Sequence, residues 1–305
     1  MEYILGSRGS ALALAQTQWV QKKLQMAFPE DKFSIQIITT KGDVVLDRPL
    51  EQVGGKGIFV REIEQQLLEG KVHIGVHSLK DMPTCPPEGL CYTQFWERQN
   101  SFDALVLNHP PQTSSTDVLS MLPMGATIGT GSKRRVAQLK FHRPDLNIVP
   151  IRGNIQTRLE KMQTQQLDGL ILAAAGLHRL GIEDKISGYF SPELLTPAPG
   201  QGTLALEVLQ QDVNLQKMLN SLADPQTNLC AAAERAFLAS VDGGCHLPVG
   251  AYCEHKGNQV DMIAFLGNES QTFTAWQQGS AAVEDAIPLA NQLAQQLLQQ
   301  RGEYQ

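Results

Sequence analysis

What is scarce in this 305-residue chain narrows the field first. No apolar run approaches the ~20 residues that a membrane-spanning helix needs, so no membrane role is expected. The opening residues, Met-Glu-Tyr-Ile-Leu-Gly-Ser-Arg, lack a basic stretch followed by a long apolar one. No secretory signal is expected there, and the cytoplasm is the expected compartment. The five cysteines (Cys85, Cys91, Cys230, Cys245 and Cys253) are odd in number and scattered, which excludes a disulfide framework and suits a reducing compartment. Low-complexity segments are absent. The glycine-rich stretch from Lys41 to Gly57 is not a phosphate-binding P-loop, because Lys56 is followed by Gly57. Cys245, His246, Cys253 and His255 do not have the spacing of a zinc finger or ribbon, so no metal site is expected.

Positive charge is also scarce, except in one place. Net charge is −6 overall, yet residues 133–185 carry 10 Lys/Arg against 5 Asp/Glu, while residues 186–305 carry 4 against 12. The basic segment is broken by apolar strands and has no aromatic stacking pattern, which argues against nucleic acid as a partner. One localised basic region in an acidic protein suits a small polyanion instead.

Apolar periodicity over the first two thirds alternates strands and helices, an α/β pattern expected to be mainly parallel. Strands are expected at Tyr3 to Ser7, Phe33 to Ile38, Ala104 to Leu107, Thr127 to Thr130, Asn147 to Ile151 and Gly169 to Leu172. Helices are expected at Ala11 to Phe28, Ile58 to Leu68, Ser132 to His142, Ile155 to Gln165 and Ala173 to Leu180. Two punctuations, Arg98 to Ser101 and Thr196-Pro-Ala-Pro-Gly-Gln-Gly202, read as crossings between domains. Leu204 to Leu209 is then a strand returning to the first domain, so two lobes joined twice would enclose a cleft. From Asn228 the pattern becomes a helix to about Val241, three alternating strands (Val249 to Glu254, Gln259 to Leu266, Gln271 to Gln277) and a Gln-rich amphipathic helix. The expected division is residues 1–98 with 197–217, residues 99–196, and residues 218–305 as a smaller α+β domain with a three-stranded antiparallel sheet.

Chemistry concentrates at the ends of these elements. The apolar run ending at Leu79 delivers Lys80 and Asp81 where the chain must turn, since Met82 precedes Pro83. Ligands bind at the carboxyl ends of strands in α/β folds, and a carboxylate there can stabilise a developing cation or relay a proton. Two Gly/Ser turns, Leu5-Gly-Ser-Arg-Gly-Ser-Ala and Ile128-Gly-Thr-Gly-Ser-Lys-Arg-Arg, echo each other. Ser10 and Ser132 are their expected N-caps. Cations at a helix N-terminus oppose its dipole, so Arg134 and Arg135 are costly unless an anion offsets them. Arg8, Arg152, Arg158 and Arg179 also sit at element ends, and guanidinium forks match carboxylates. The expected ligand is a small molecule bearing several carboxylates. The Lys41–Gly57 stretch is expected to be a mobile lid. Gly243-Gly-Cys245 leaves a thiol accessible, either reactive or structural.

Taken in order, Gly-Ser-Arg-Gly-Ser-Ala-Leu-Ala, Lys41-Gly-Asp, Val53-Gly-Gly-Lys-Gly-Ile-Phe59, Val76-His-Ser-Leu-Lys-Asp81, Gly129 to Arg135, Arg152-Gly-Asn-Ile-Gln-Thr-Arg158, Leu172 to Gly181, Pro199-Gly-Gln-Gly202 and Gly243-Gly-Cys-His-Leu-Pro248 resemble the hydroxymethylbilane synthase (porphobilinogen deaminase) family over nearly the whole chain. The resemblance implies two lobes like those of periplasmic binding proteins plus the C-terminal domain, and a monomer. It implies a transferase of tetrapyrrole and heme biosynthesis that condenses four porphobilinogen molecules head to tail with loss of ammonia. It also implies a dipyrromethane cofactor joined to Cys245 by a thioether. Asp81 and Lys80 would be catalytic. Ser10, Lys80, Ser132, Arg134, Arg135, Arg152 and Gly153 would hold the cofactor. Arg8, Arg152, Arg158, Arg179 and Gln201 would hold substrate, and Asp43, Asp47, Lys56 and Phe59 would belong to the lid. Lys133, Gly131 and Arg61 depart from the family's usual residues without removing a catalytic group. The competing reading is a cytoplasmic two-lobed binding protein or sensor for a small polycarboxylate, which would need neither Cys245 nor Asp81.

Overall fold

The computed structural model of the chain describes residues 1–40, 60–109, 117–241, 247–268, 270 and 272–303. They form two compact units, Met1–Arg98 with Thr203–Asn228, and Gln99–Gly202 with Leu229–Gln305.

In the first unit, β1 (Glu2–Arg8) leads through a Gly-Ser turn into α1 (Ala11–Ala27) and back to β2 (Lys32–Ile38). Ser10 caps α1 by accepting from the Ala13 amide at 3.3 Å, and no proline interrupts the helix before Pro29. α1 turns Val20 and Leu24 onto the sheet, both fully buried, each contributing about 1.5–3 kcal/mol of apolar burial. α2 (Arg61–Leu68) covers the opposite face with Ile63 and Leu67. The sheet is completed by β3 (Ile74–Ser78), β4 (Leu90–Tyr92) and β10 (Leu204–Leu209), in the order β2-β1-β3-β10-β4. α6 (Val213–Asn220) packs Leu215 and Leu219 into the α1 face, and Trp96 donates its indole N–H to the Leu219 carbonyl at 2.8 Å.

The second unit repeats the plan. β5 (Asp103–Leu107), β6 (Thr127–Gly129), α3 (Lys133–His142), β7 (Asn147–Val149), α4 (Ile155–Thr164), β8 (Gly169–Ala173), α5 (Ala174–Arg179) and β9 (Gly188–Tyr189) build a sheet ordered β7-β6-β8-β5-β9. Separate apolar clusters cover its two faces, one around Leu170 and Leu177, the other around Leu105, Ile128 and Phe190. The same unit contains a third sheet, β11 (Val249–Lys256), β12 (Gln259–Gly267) and β13 (Thr274–Ala282), antiparallel throughout. α7 (Pro225–Ser240), which starts in the first unit, and α8 (Ala286–Glu303) pack Phe237 and Leu293 onto it.

The two α/β sheets correspond strand for strand. β1 and β6 hold equivalent places, each parallel to both neighbours, and each is followed by the Gly/Ser turn and helix that echo in the sequence. The expected fold class, two α/β lobes with a three-stranded antiparallel sheet, is therefore observed. The expectation of a mainly parallel pattern holds for strand direction, since four of the five strands in each sheet point the same way; the exceptions are β10, antiparallel to β3 and β4, and β5, antiparallel to β8 and β9. β5 and β10 are the first strands after the chain passes from one unit to the other, so no crossover helix reverses them into a parallel direction.

Candidate active site

In the first unit, the carboxyl end of β3 is tied down from three sides. Gln16 on α1 donates its amide to the Ser78 hydroxyl at 3.0 Å. The Leu79 amide donates to the Thr203 carbonyl at 3.0 Å, and the Met82 amide closes a 3₁₀ turn over Leu79–Asp81 by bonding the Leu79 carbonyl at 3.1 Å. Leu79 is fully buried and anchors the turn. Lys80 is half-buried, whereas Asp81 is exposed and has no hydrogen-bond or ion-pair partner among the described residues. A carboxylate presented on a tethered strand end, with no partner among the described residues, is available for chemistry. At the neighbouring strand end, buried Ser7 donates to the Arg8 carbonyl at 3.0 Å, and the Thr17 hydroxyl stands 2.9 Å from the Ser7 oxygen. These contacts fix the half-buried Arg8 and the cap Ser10.

In the second unit, Ser132 caps α3, accepting from the Arg135 amide at 3.4 Å. The arginine pair that follows is answered from inside. Arg134 Nη1 donates to Asp103 Oδ2 at 2.8 Å, and Arg135 donates to Asp103 Oδ1 through Nε at 3.1 Å and Nη2 at 2.7 Å. Arg134 also reaches the Thr196 carbonyl at 2.6 Å, and Arg135 the Ile171 carbonyl at 2.7 Å. Burial pushes the Asp103 carboxyl up, but the two guanidiniums outweigh it and hold the acid well below the usual carboxylate range. Burial lowers the pKa of Arg134, opposed by Asp103. The offsetting anion expected from a ligand is thus supplied, at least in part, by Asp103. Gln201 belongs to the same cluster: its side chain is fully enclosed, with the amide nitrogen on the Ser101 carbonyl at 2.8 Å and Asp103 Oδ1 at 2.9 Å.

The remaining arginines differ in setting. Arg152 is exposed and Arg158 half-buried, with Arg158 Nε donating to the Gly153 carbonyl at 2.8 Å. Gly153 has φ +114°, and a Cβ there would come within 2.7 Å of Thr157, so this turn requires glycine. Asn154 caps α4, accepting from the Thr157 amide at 2.9 Å. Arg179 is half-buried at the end of α5, where Nη2 donates to the Gly202 carbonyl at 2.7 Å. No carboxylate among the described residues pairs with it, and burial pushes its pKa down to about 10. An uncompensated, partly desolvated guanidinium is a ready seat for a carboxylate.

Cys245, Asp43, Asp47, Lys56 and Phe59 lie outside the described residues. Close to Cys245 in sequence, Glu234 on α7 accepts from the Gly200 amide at 2.7 Å and the Cys253 amide at 3.0 Å, joining the Pro-Gly-Gln-Gly turn to β11. Asp103 and Glu234 were not singled out by the sequence reading. The available signal for Asp103 was an acid opening an otherwise apolar strand in a chain that also buries an Arg-Arg pair. Among the described residues, no group of three or more His, Cys, Asp or Glu is placed to hold a metal ion, and no helix is long and apolar enough to cross a membrane.

Residues 3–217 match the family model described as porphobilinogen deaminase, dipyromethane cofactor binding domain, and residues 228–299 match porphobilinogen deaminase, C-terminal domain. The chain is 42% identical over 303 residues to porphobilinogen deaminase of Clostridium novyi (strain NT), covering 98% of this chain and 99% of that protein. It is 45% identical over 268 residues to porphobilinogen deaminase of Clostridioides difficile (strain 630), covering 88% and 87%. Among solved structures, the VFT2 domain of Bordetella pertussis BvgS aligns with a TM-score of 0.44 and 13% identity, covering 77% of this chain and 92% of that one.

Proposed function

The chain belongs to the porphobilinogen deaminase family, and from that premise we propose how its own residues carry the family's reaction. It is a transferase of tetrapyrrole biosynthesis that condenses four porphobilinogen molecules head to tail into hydroxymethylbilane, releasing ammonia and using a dipyrromethane primer. A non-catalytic polycarboxylate sensor is not favoured by this membership.

Asp81 carries the reading: its carboxylate has no partner among the described residues yet sits on a thrice-tethered strand end. In our reading it bonds the substrate's pyrrole N–H and stabilises the positive charge that develops as the aminomethyl C–N bond breaks. It then takes up the proton lost when the new C–C bond forms. Lys80 beside it holds a carboxylate. When bound, dipyrromethane supplies the pyrrole carbon to which the first substrate unit is joined. The residues suit such a group. Each pyrrole brings two carboxylates, and Arg179 is a half-buried cation lacking an acidic partner among the described residues. Cys245 is proposed as its thioether anchor, with Ser10, Lys80, Ser132, Arg134, Arg135, Arg152 and Gly153 as its remaining contacts. Arg8, Arg152, Arg158 and Arg179 are assigned to incoming substrate. Gln201 acts on substrate through Asp103 and the arginines it braces, because its own side chain is enclosed. We further propose a cytoplasmic monomer with no nucleic-acid partner, and a three-domain division in which residues 218–305 carry the anchor.

Intact mass tests the anchor. The purified active protein should exceed its polypeptide mass by two linked pyrrole units, and Cys245→Ser should lose that increment. A bare-chain mass in active protein, or an unchanged adduct in the variant, overturns it.

A further inference from the structure

The buried face of α1 changes character along its length. Its buried side chains are Gln16, Thr17, Val20 and Leu24. Gln16, Val20 and Leu24 follow one another at four-residue spacing and so form one stripe along the helix. Val20 and Leu24 join the apolar cluster that contains Ile74 and Val76 of β3. On β3, Ile74, Val76 and Ser78 alternate onto one face. Stripe and strand therefore meet apolar to apolar until the carboxyl end of β3. There they finish in one polar pair, Gln16 Nε2 donating to Ser78 Oγ at 3.0 Å.

Stability alone does not call for that pair. Gln16 is 5% exposed, and one hydrogen bond returns little more than a buried amide loses on leaving water. Replacing both partners by apolar groups of the same shape is nearly neutral or stabilising. What the pair supplies is direction, because a hydrogen bond constrains distance and angle together. Ser78 is where direction matters. It ends β3 and stands at the N-cap position of the 3₁₀ turn Leu79–Asp81, yet its side chain makes no capping bond to that turn. Leu79, which follows, is fully buried. The chain is thus held at both residues that precede Lys80 and Asp81.

We propose that Gln16 is a positioning residue of the reaction: its bond to Ser78 sets the direction in which the turn presents Asp81. The proposal rests on the catalytic reading of Asp81 given above.

The test uses the full-length, cofactor-loaded enzyme, with kcat, KM, melting temperature and intact mass recorded for Gln16→Met, Ser78→Ala, Asp81→Asn and their pairs. Gln16→Met keeps the side-chain length and removes the donor. It should lower kcat about tenfold, leave KM for porphobilinogen within about twofold and retain the adduct. Ser78→Ala removes the acceptor and should give the same kcat loss. The two together should lose no more than either alone, because the same bond is broken in all three. That pair should also melt within about 2 °C of wild type or above it, which separates aim from stability. In the Asp81→Asn background neither substitution should lower kcat further, since the group they aim is already gone. If Gln16→Met does not fold, Ser78→Ala, whose side chain is only half-buried, takes its place in the comparison. An unchanged kcat in Ser78→Ala, a loss that persists in the Asp81→Asn background, or a kcat loss that follows a fall in melting temperature overturns the positioning role while leaving Asp81 catalytic. Near-normal turnover in Asp81→Asn overturns both.

Discussion

Arg135 grips Asp103 with two donors at once, Nε at 3.1 Å and Nη2 at 2.7 Å, on a carboxylate that is wholly enclosed. Arg134 takes the other oxygen, so a single acid answers two guanidiniums at the start of α3. Replacing Asp103 by Asn keeps the shape but leaves two buried cations without a counter-charge, which should cost about 3–5 kcal/mol. The pH dependence has a definite sign. The folded-state pKa of Asp103 is depressed, so its contribution is present above the unfolded value of about 3.9 and is lost as pH falls below it. Urea titrations from about pH 3 to 7 should show wild-type stability dropping on the acid side, with a flatter and lower curve for Asp103→Asn. Parallel curves for the two proteins would remove Asp103 as the acid-labile centre.

Arg179 is the opposite case. It has one carbonyl contact and no acidic partner among the described residues, and burial already presses its pKa down to about 10. No acid among the described residues pairs with its charge, so Arg179→Gln should change stability by less than ~1 kcal/mol. Losing a charge-assisted contact to a substrate carboxylate should nevertheless lower kcat/KM by about ten- to a hundredfold, the equivalent of roughly 1.5–3 kcal/mol. Arg179→Lys should fall between the two, since it keeps the charge without the fork. Steady-state kinetics beside a melting curve separate these effects. A variant that loses stability while keeping kcat/KM would make Arg179 a structural residue.

The contrast between these residues shows what sequence reading reaches. The Gly/Ser turn before α1 and its counterpart before α3 were legible because local rules govern them: small residues for the bend and a hydroxyl for the cap. The expected strand at Tyr3 to Ser7 is found as Glu2–Arg8 for the same reason. Strand direction is not local. Alternation reads the same in parallel and antiparallel sheets, so the reversed β5 and β10 were hidden. β13 was placed too early, at Gln271 to Gln277 rather than Thr274–Ala282, because Gln277, Gln278 and Ser280 obscure its apolar face. α6 escaped because only Leu215 and Leu219 mark its buried side over eight residues. At the site, the arginines were visible as charges at element ends, but their settings were not. Whether a guanidinium meets Asp103 or stands without an acid depends on residues some thirty positions away.

Asp81 gives the most direct comparison between geometry and rate. The tethers on its turn use the backbone and side chains of Gln16, Ser78, Leu79, Met82 and Thr203, none of which involves the Asp81 carboxylate. Asp81→Asn therefore leaves every one of those contacts intact, and stability should stay within ~0.5 kcal/mol of wild type, as for an exposed side chain. Binding should also survive, because under the proposed function the carboxylates of primer and substrate are assigned to cations rather than to this acid. What the amide cannot do is accept a proton or balance the charge left when ammonia departs. Such losses cost about 10²–10⁴-fold in rate, so kcat should fall by that amount with KM changed by no more than a few-fold. Rapid-quench turnover measured beside intact mass reads both at once, and a variant that keeps its adduct but turns over at near the wild-type rate would take the acid out of the mechanism.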